Sequence, residues 1–179
     1  MKKITWYLFI FLFFNFIAFS FSLIAYSEAI VFSQSKVVYE MPYPGILPDH
    51  PLYPFKIIRD RVLEFMTRDN LKKAQLYLLY SDKRVAMAIK LIKKGKDKQA
   101  ISTFSKGEKY FLKIPNLLDA SKKQGVNPPS DFINKLKTSN AKHKEIIEEI
   151  MKTAPQGQLG AITEILRLNQ EIEKKLNQW

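Results

Sequence analysis

The longest regular pattern in the chain begins at Leu71. Leu71, Ala74, Leu78, Val85, Ala88 and Ile92 advance by three, four, seven, three and four, while Lys72, Lys73, Lys83, Lys90 and Lys93 fall elsewhere. Side chains at these spacings share one helix face, so the pattern predicts an amphipathic helix, capped by Asp69 or Asn70. After Gly95, which can stop a helix, the same spacing resumes with Ala100, Phe104, Gly107, Phe111, Ile114 and Leu118. The short turn between the two makes them antiparallel neighbours, an αα-hairpin over residues 70–123. Pro115 lies inside the second pattern and should kink it or end its regular part near Lys113.

Two further helices follow the loop Gln124-Gly125-Val126-Asn127-Pro128-Pro129. Ser130 or Asp131 would cap one whose stripe is Ile133, Leu136, Asn140, His143, Ile147, Ile150 and Ala154; Pro155-Gln156-Gly157 breaks it, and the next carries Ile162, Ile165, Leu168, Ile172 and Leu176. Upstream, Phe55, Ile58, Val62 and Phe65 line one side of a shorter helix ending near Thr67. The fold class is therefore all-α: an N-terminal membrane segment, then a helical bundle built from antiparallel hairpins. Residues 51–124 supply the short helix and the basic hairpin, and residues 125–179 a second helical pair of the same domain.

Residues 4–26 carry no charge, and as a helix of about 1.5 Å per residue they are long enough to cross a hydrocarbon core. Lys2 and Lys3 precede the run and the next basic residue is Lys36, so the amino end should stay inside and residues 30–179 lie outside the cytoplasm. The length of the run favours a retained transmembrane anchor. Ser27-Glu28-Ala29 is a small-x-small site, and cleavage of a signal peptide near Ala29, giving a secreted or periplasmic product, is the alternative. Residues 30–50 read as an extended juxtamembrane segment, since prolines at 42, 44, 48, 51 and 54 hold their neighbourhood out of the helical region.

Charge changes the picture in one respect. Of a net +12, the stretch from Lys56 to Lys123 contributes 18 basic against seven acidic residues, while residues 131–179 are nearly balanced. Lys72, Lys73, Lys83, Lys90, Lys93 and Lys94 are thus candidates for binding an anionic surface, either lipid head groups or a cell-wall polymer. Nucleic acid is the competing polyanion, with Tyr77, Tyr80, Tyr110 and Phe111 as stacking faces, but export argues against it. There is no cysteine, which excludes disulfides, thiolate metal sites, a cysteine nucleophile and acylation at cysteine.

Candidate chemistry is sparse. Phosphate loops, nucleophile elbows and paired-histidine zinc motifs are missing from the sequence, and with His50 and His143 as the whole histidine complement no metal or cofactor site is expected. Asp49 beside His50 reads as a cap or turn residue rather than half of an acid–base pair. Ala100, Phe104 and Gly107 match a fragment of a tetratricopeptide unit, but no second copy follows at that period, and close helix approach explains the same small residues. Asn140 and His143 interrupt an apolar stripe. An antiparallel hairpin centred near Gln156 would set His143 opposite Asn169 as a polar pair fixing register, and on that reading His143→Leu is tolerated or stabilising.

The run LPDHPLYPFKIIRDRVLEFMTRDNLKKAQLYLLYSDKR, residues 47–84, resembles a bacterial family known as a domain of unknown function, number 5667. Leu47, Pro48, Asp49, Pro51, Leu52, Tyr53 and Lys56 match its L-P-D-x-P-L-Y-x-x-K opening, and Leu71 to Lys123 resemble its charged hairpin. The resemblance implies no activity, cofactor or catalytic residue. It does imply that Pro48, Asp49, Pro51, Leu52, Tyr53 and Lys56 form the structural entrance to the domain, with Leu52 and Tyr53 packed on the hairpin.

Together these features point to a non-enzymatic exported or membrane-anchored protein of the bacterial envelope, an interaction or scaffold module for a protein partner or an anionic component. A periplasmic helical chaperone or stress sensor is the alternative class. An enzyme ranks below both, because the polar residues are scattered along the chain instead of converging.

Overall fold

In the computed structural model, residues 37–179 are described. Residues 1–36, with the transmembrane or signal segment expected over 4–26 and the cleavage site expected near Ala29, lie outside them. Among the described residues the structure is all-α: α1 (Tyr53–Met66), α2 (Asn70–Ile92), α3 (Asp97–Phe111), α4 (Ile114–Lys123), α5 (Ser130–Thr153), a 3-10 turn (Gln156–Gln158) and α6 (Leu159–Leu176). Helices α2 to α6 pack as a bundle, in which α2 with α3 and α5 with α6 make the most extensive pairings. No described helix is long and apolar enough to cross a membrane.

The helix ends follow local chemistry. Asp69 caps α2, its Oδ1 accepting from the Lys72 amide at 2.7 Å. At the other end Gly95 has φ +69°, and the Lys96 amide closes back onto the Leu91 carbonyl at 2.9 Å, the left-handed stop that glycine allows. The long pattern from Asp97 to Lys123 divides at Leu112 and Lys113, leaving Pro115 in the first turn of α4 where it needs no amide partner. Two expected caps are not made: α5 starts after Pro129 with no side-chain cap from Ser130 or Asp131, and α1 has none from Asp49.

The bundle core has two apolar halves. One joins Ala74, Leu78, Phe111, Ile114, Leu118, Leu136, Ile172 and Leu176; the other joins Val85, Ala88, Leu91, Ala100, Phe104, Ile147, Ile162 and Ile165. Gly107 lets α3 approach α2 closely, since a Cβ there would stand 3.2 Å from both the Arg84 Cβ and the Ser81 carbonyl. Between the two halves, each long helix places polar residues: Asp82 on α2, Glu108 on α3, Ser139, Asn140 and His143 on α5, and Asn169 on α6, all buried.

Candidate functional site

Two regions carry chemistry. The first is this polar layer. His143 Nδ1 is 2.7 Å from Glu108 Oε1, and Nε2 is 3.2 Å from Asp82 Oδ1, near enough for an ion pair though not aligned as a hydrogen bond. Burial alone would push the imidazole down; the adjacent Glu108 carboxylate, with its hydrogen bond to Nδ1 and the nearby Asp82 carboxylate, outweighs it and raises the pKa to about 9. His143 is therefore a cation at neutral pH, held between two carboxylates.

Neutral donors complete the layer. Ser139 Oγ donates to Asp82 Oδ1 at 2.7 Å, and Asn169 Nδ2 donates to Glu108 Oε2 at 3.4 Å and to Asn140 Oδ1 at 3.0 Å. The last donor comes from outside the helices: Tyr39, in the strap of chain before α1, donates its phenol to Asp82 Oδ2 at 2.5 Å. Burial, then the Asp82 carboxylate, pushes that phenol well above its ordinary range. The Val37 amide donates to Glu145 on α5 at 2.9 Å, so the strap is fixed to the bundle at two points. Clefts of about 430 and 350 Å³ take the strap as part of their walls, one reaching Asp82 and the other Asn140.

His143 and Asn169 thus share one network but are not each other's direct partners, because Glu108 stands between them and Asn169 bonds to Asn140. This reverses the expectation for His143→Leu, which would strand two buried carboxylates. Asp82 and Glu108 were not anticipated. The available signal was the spacing: Asp82 lies four after Leu78 and three before Val85, and Glu108 four after Phe104 and three before Phe111, so each occupies an inward position of its stripe.

The second region is α1. Its inward face is the polar one. Lys56 Nζ meets Asp60 Oδ2 at 2.8 Å with both side chains buried, and Arg59 reaches the other oxygen at 2.7 Å. Burial opposes ionisation of Asp60, but hydrogen bonds from Lys56 and Arg59 outweigh it and lower its pKa. From the bundle, Tyr80 donates to the Asp60 carbonyl at 2.9 Å and Tyr77 to Glu64 Oε1 at 2.6 Å. Tyr77 and Tyr80 each stand edge-on to Tyr110, and the Arg84 guanidinium lies 4.4 Å over the Tyr110 ring.

The apolar face of α1 points outward. Phe55 is 70% exposed, Phe65 81%, and Ile58, Val62 and Met66 are all more than half exposed. Leu52, expected to pack on the hairpin, is 51% exposed, while Tyr53 is half-buried beside Lys56. A stripe can be read as the side facing a core only when no stronger attachment is available, and here buried hydrogen bonds hold the opposite side.

The other anticipated residues fall as follows. Asp49 pairs with Lys94 at 3.1 Å and Lys96 at 2.8 Å instead of capping α1; hydrogen bonds from Lys96 and Lys94 lower its pKa to about 2. The turn before α1 is instead closed by His50 Nδ1, which accepts from the Leu52 amide at 3.2 Å. Lys94 is thus engaged with Asp49 while remaining exposed; Lys72, Lys90 and Lys93 are also exposed, and Lys73 and Lys83 are half-buried. Pro48 is half-buried and Pro51 exposed in the strap. Tyr77, Tyr80 and Phe111 are buried, so they offer no open stacking face. Among the described residues there is no acidic and histidine cluster arranged for a metal ion.

The opening motif, α1 and the α2–α3 hairpin are the parts that carried the family resemblance, and the profile of the Domain of unknown function (DUF5667) matches residues 45–157. The chain belongs to the DUF5667 family. The match extends past the hairpin through α5, so the DUF5667 region includes His143, Asp82 and Glu108 as well as α1, while α6 lies beyond it. No curated protein and no solved structure matches the chain.

Proposed function

We propose that this DUF5667 protein is a non-enzymatic, exported or membrane-anchored module of the bacterial envelope that works by presenting a helical surface. The observation carrying this reading is the outward apolar face of α1. A helix whose polar side is fastened by the Tyr77 and Tyr80 hydrogen bonds leaves Phe55, Ile58, Val62 and Phe65 available to something else. The polar layer supports the same reading, since its imidazole and carboxylates are occupied by one another and by Tyr39, Ser139 and Asn169, which suits a structural joint between strap and bundle. Cross-linking in intact cells, followed by identification of the amino terminus and of attached molecules, tests the proposal. Met1 retained, with cross-links on α1, supports an anchored module; a chain starting at Ile30 makes it a secreted or periplasmic factor.

The alternative role, a helical chaperone or stress sensor, draws on the same exposed face. It requires suppression of client aggregation at equimolar protein, and that suppression must be lost with Val62→Asp.

A further inference from the structure

We infer that the outward face of α1 is an interfacial helix that lies on an anionic lipid surface. The inference rests on the proposal that the chain stays anchored through residues 4–26, and it adds which surface meets the leaflet and how.

Three observations carry it. First, the face is apolar along its length: α1 has 14 residues, about 21 Å, with Phe55, Ile58, Val62, Phe65 and Met66 exposed on one side. Second, its charges are sorted. Both acids of α1, Asp60 and Glu64, are turned to the bundle, to Lys56 and Arg59 and to Tyr77, while Arg59 and Arg61 are exposed on opposite flanks of the apolar stripe. At about 100° per residue Arg59 lies to one side of Val62 and Arg61 to the other. An apolar strip bordered by arginines and cleared of acids complements a negatively charged head-group layer over an acyl interior. Third, the uncharged 23-residue run at 4–26 would keep this domain beside a leaflet, which makes even a short helix effective because its binding becomes intramolecular. A second copy of this chain fits less well: two such faces brought together would oppose arginine to arginine, and the acid beside them, Asp60, is buried and already held by Lys56 and Arg59.

The chain lacks cysteine, so one introduced residue can be labelled uniquely. Full-length Val62→Cys and, as a control on α6, Gln170→Cys would be labelled with a fluorophore and reconstituted into phosphatidylcholine vesicles with or without phosphatidylglycerol, containing lipids spin-labelled near the head group. Expected is quenching at position 62 at least threefold stronger than at 170, dependent on phosphatidylglycerol and reduced severalfold by Arg59→Gln with Arg61→Gln. Equal quenching at both positions, or none at 62 in vesicles that retain the protein, overturns the interfacial helix while leaving anchoring intact. Cross-linking of Val62→Cys to itself in the membrane overturns it in favour of a second copy. Recovery of unproteolysed protein outside the vesicles overturns the anchoring on which the inference rests. Unchanged thermal melting of Val62→Cys shows that these outcomes report docking and not unfolding.

Discussion

The polar layer of the bundle and the underside of α1 are both places where charged groups are buried between helices, yet they do opposite things to the apolar surface around them. In the layer, His143, Asp82 and Glu108 lie between two apolar halves, and every apolar stripe of α2, α3, α5 and α6 still turns inward. At α1 the Lys56–Asp60 pair and the tyrosine hydroxyls take the inward side, and the apolar stripe is left facing out. The difference is one of enclosure. A helix inside a bundle has neighbours on most sides and can bury both kinds of group; one at the edge has a single buried side, and what occupies it decides what is left outside.

The largest expected effect separates the two regions most sharply. His143→Leu should destabilise the bundle by about 3–5 kcal/mol in denaturant melts, because it strands Asp82 and Glu108 without their cation. Adding Asp82→Asn with Glu108→Gln should recover much of that loss. If His143→Leu melts like the parent protein, the layer is not an ionic joint and the comparison fails.

A pH series sharpens the same point. The folded pKa of His143, about 9, is above the ordinary value of 6.5, so its contribution is whole below about pH 6.5 and fades as pH rises through 9. Stability should fall across that window by up to about 1.4 kcal/mol per pH unit, and His143→Gln should flatten the slope.

At α1 the effects should be local and smaller. Tyr77→Phe removes the bond to Glu64 and should cost about 1 kcal/mol, with faster amide exchange in α1 and little change in α5. Leu52→Ala should shift the melt least, by under about 0.5 kcal/mol, because the side chain is half exposed. A loss in the 1.5–3 kcal/mol range of a fully buried leucine would return Leu52 to the core role that the opening motif implied.

Periodicity, glycine and proline in this sequence determined the helices, their order and most of their ends. The steps from Leu71 to Ile92 and from Ala100 to Leu118 fix which side chains share a face, and Gly95 and Pro115 interrupt the chain for reasons of backbone geometry that hold in any surroundings. Asn140, His143 and Asn169 were legible as polar residues in or opposite an apolar seam. Their partners were not, since Asp82 and Glu108 are separated from His143 by 61 and 35 residues and meet it only once three helices have docked. Nor could spacing say which way α1 faces. A helical period fixes the angle between side chains about their own axis but contains no reference to a second axis, and it took three tyrosines on α2 and α3 to supply one.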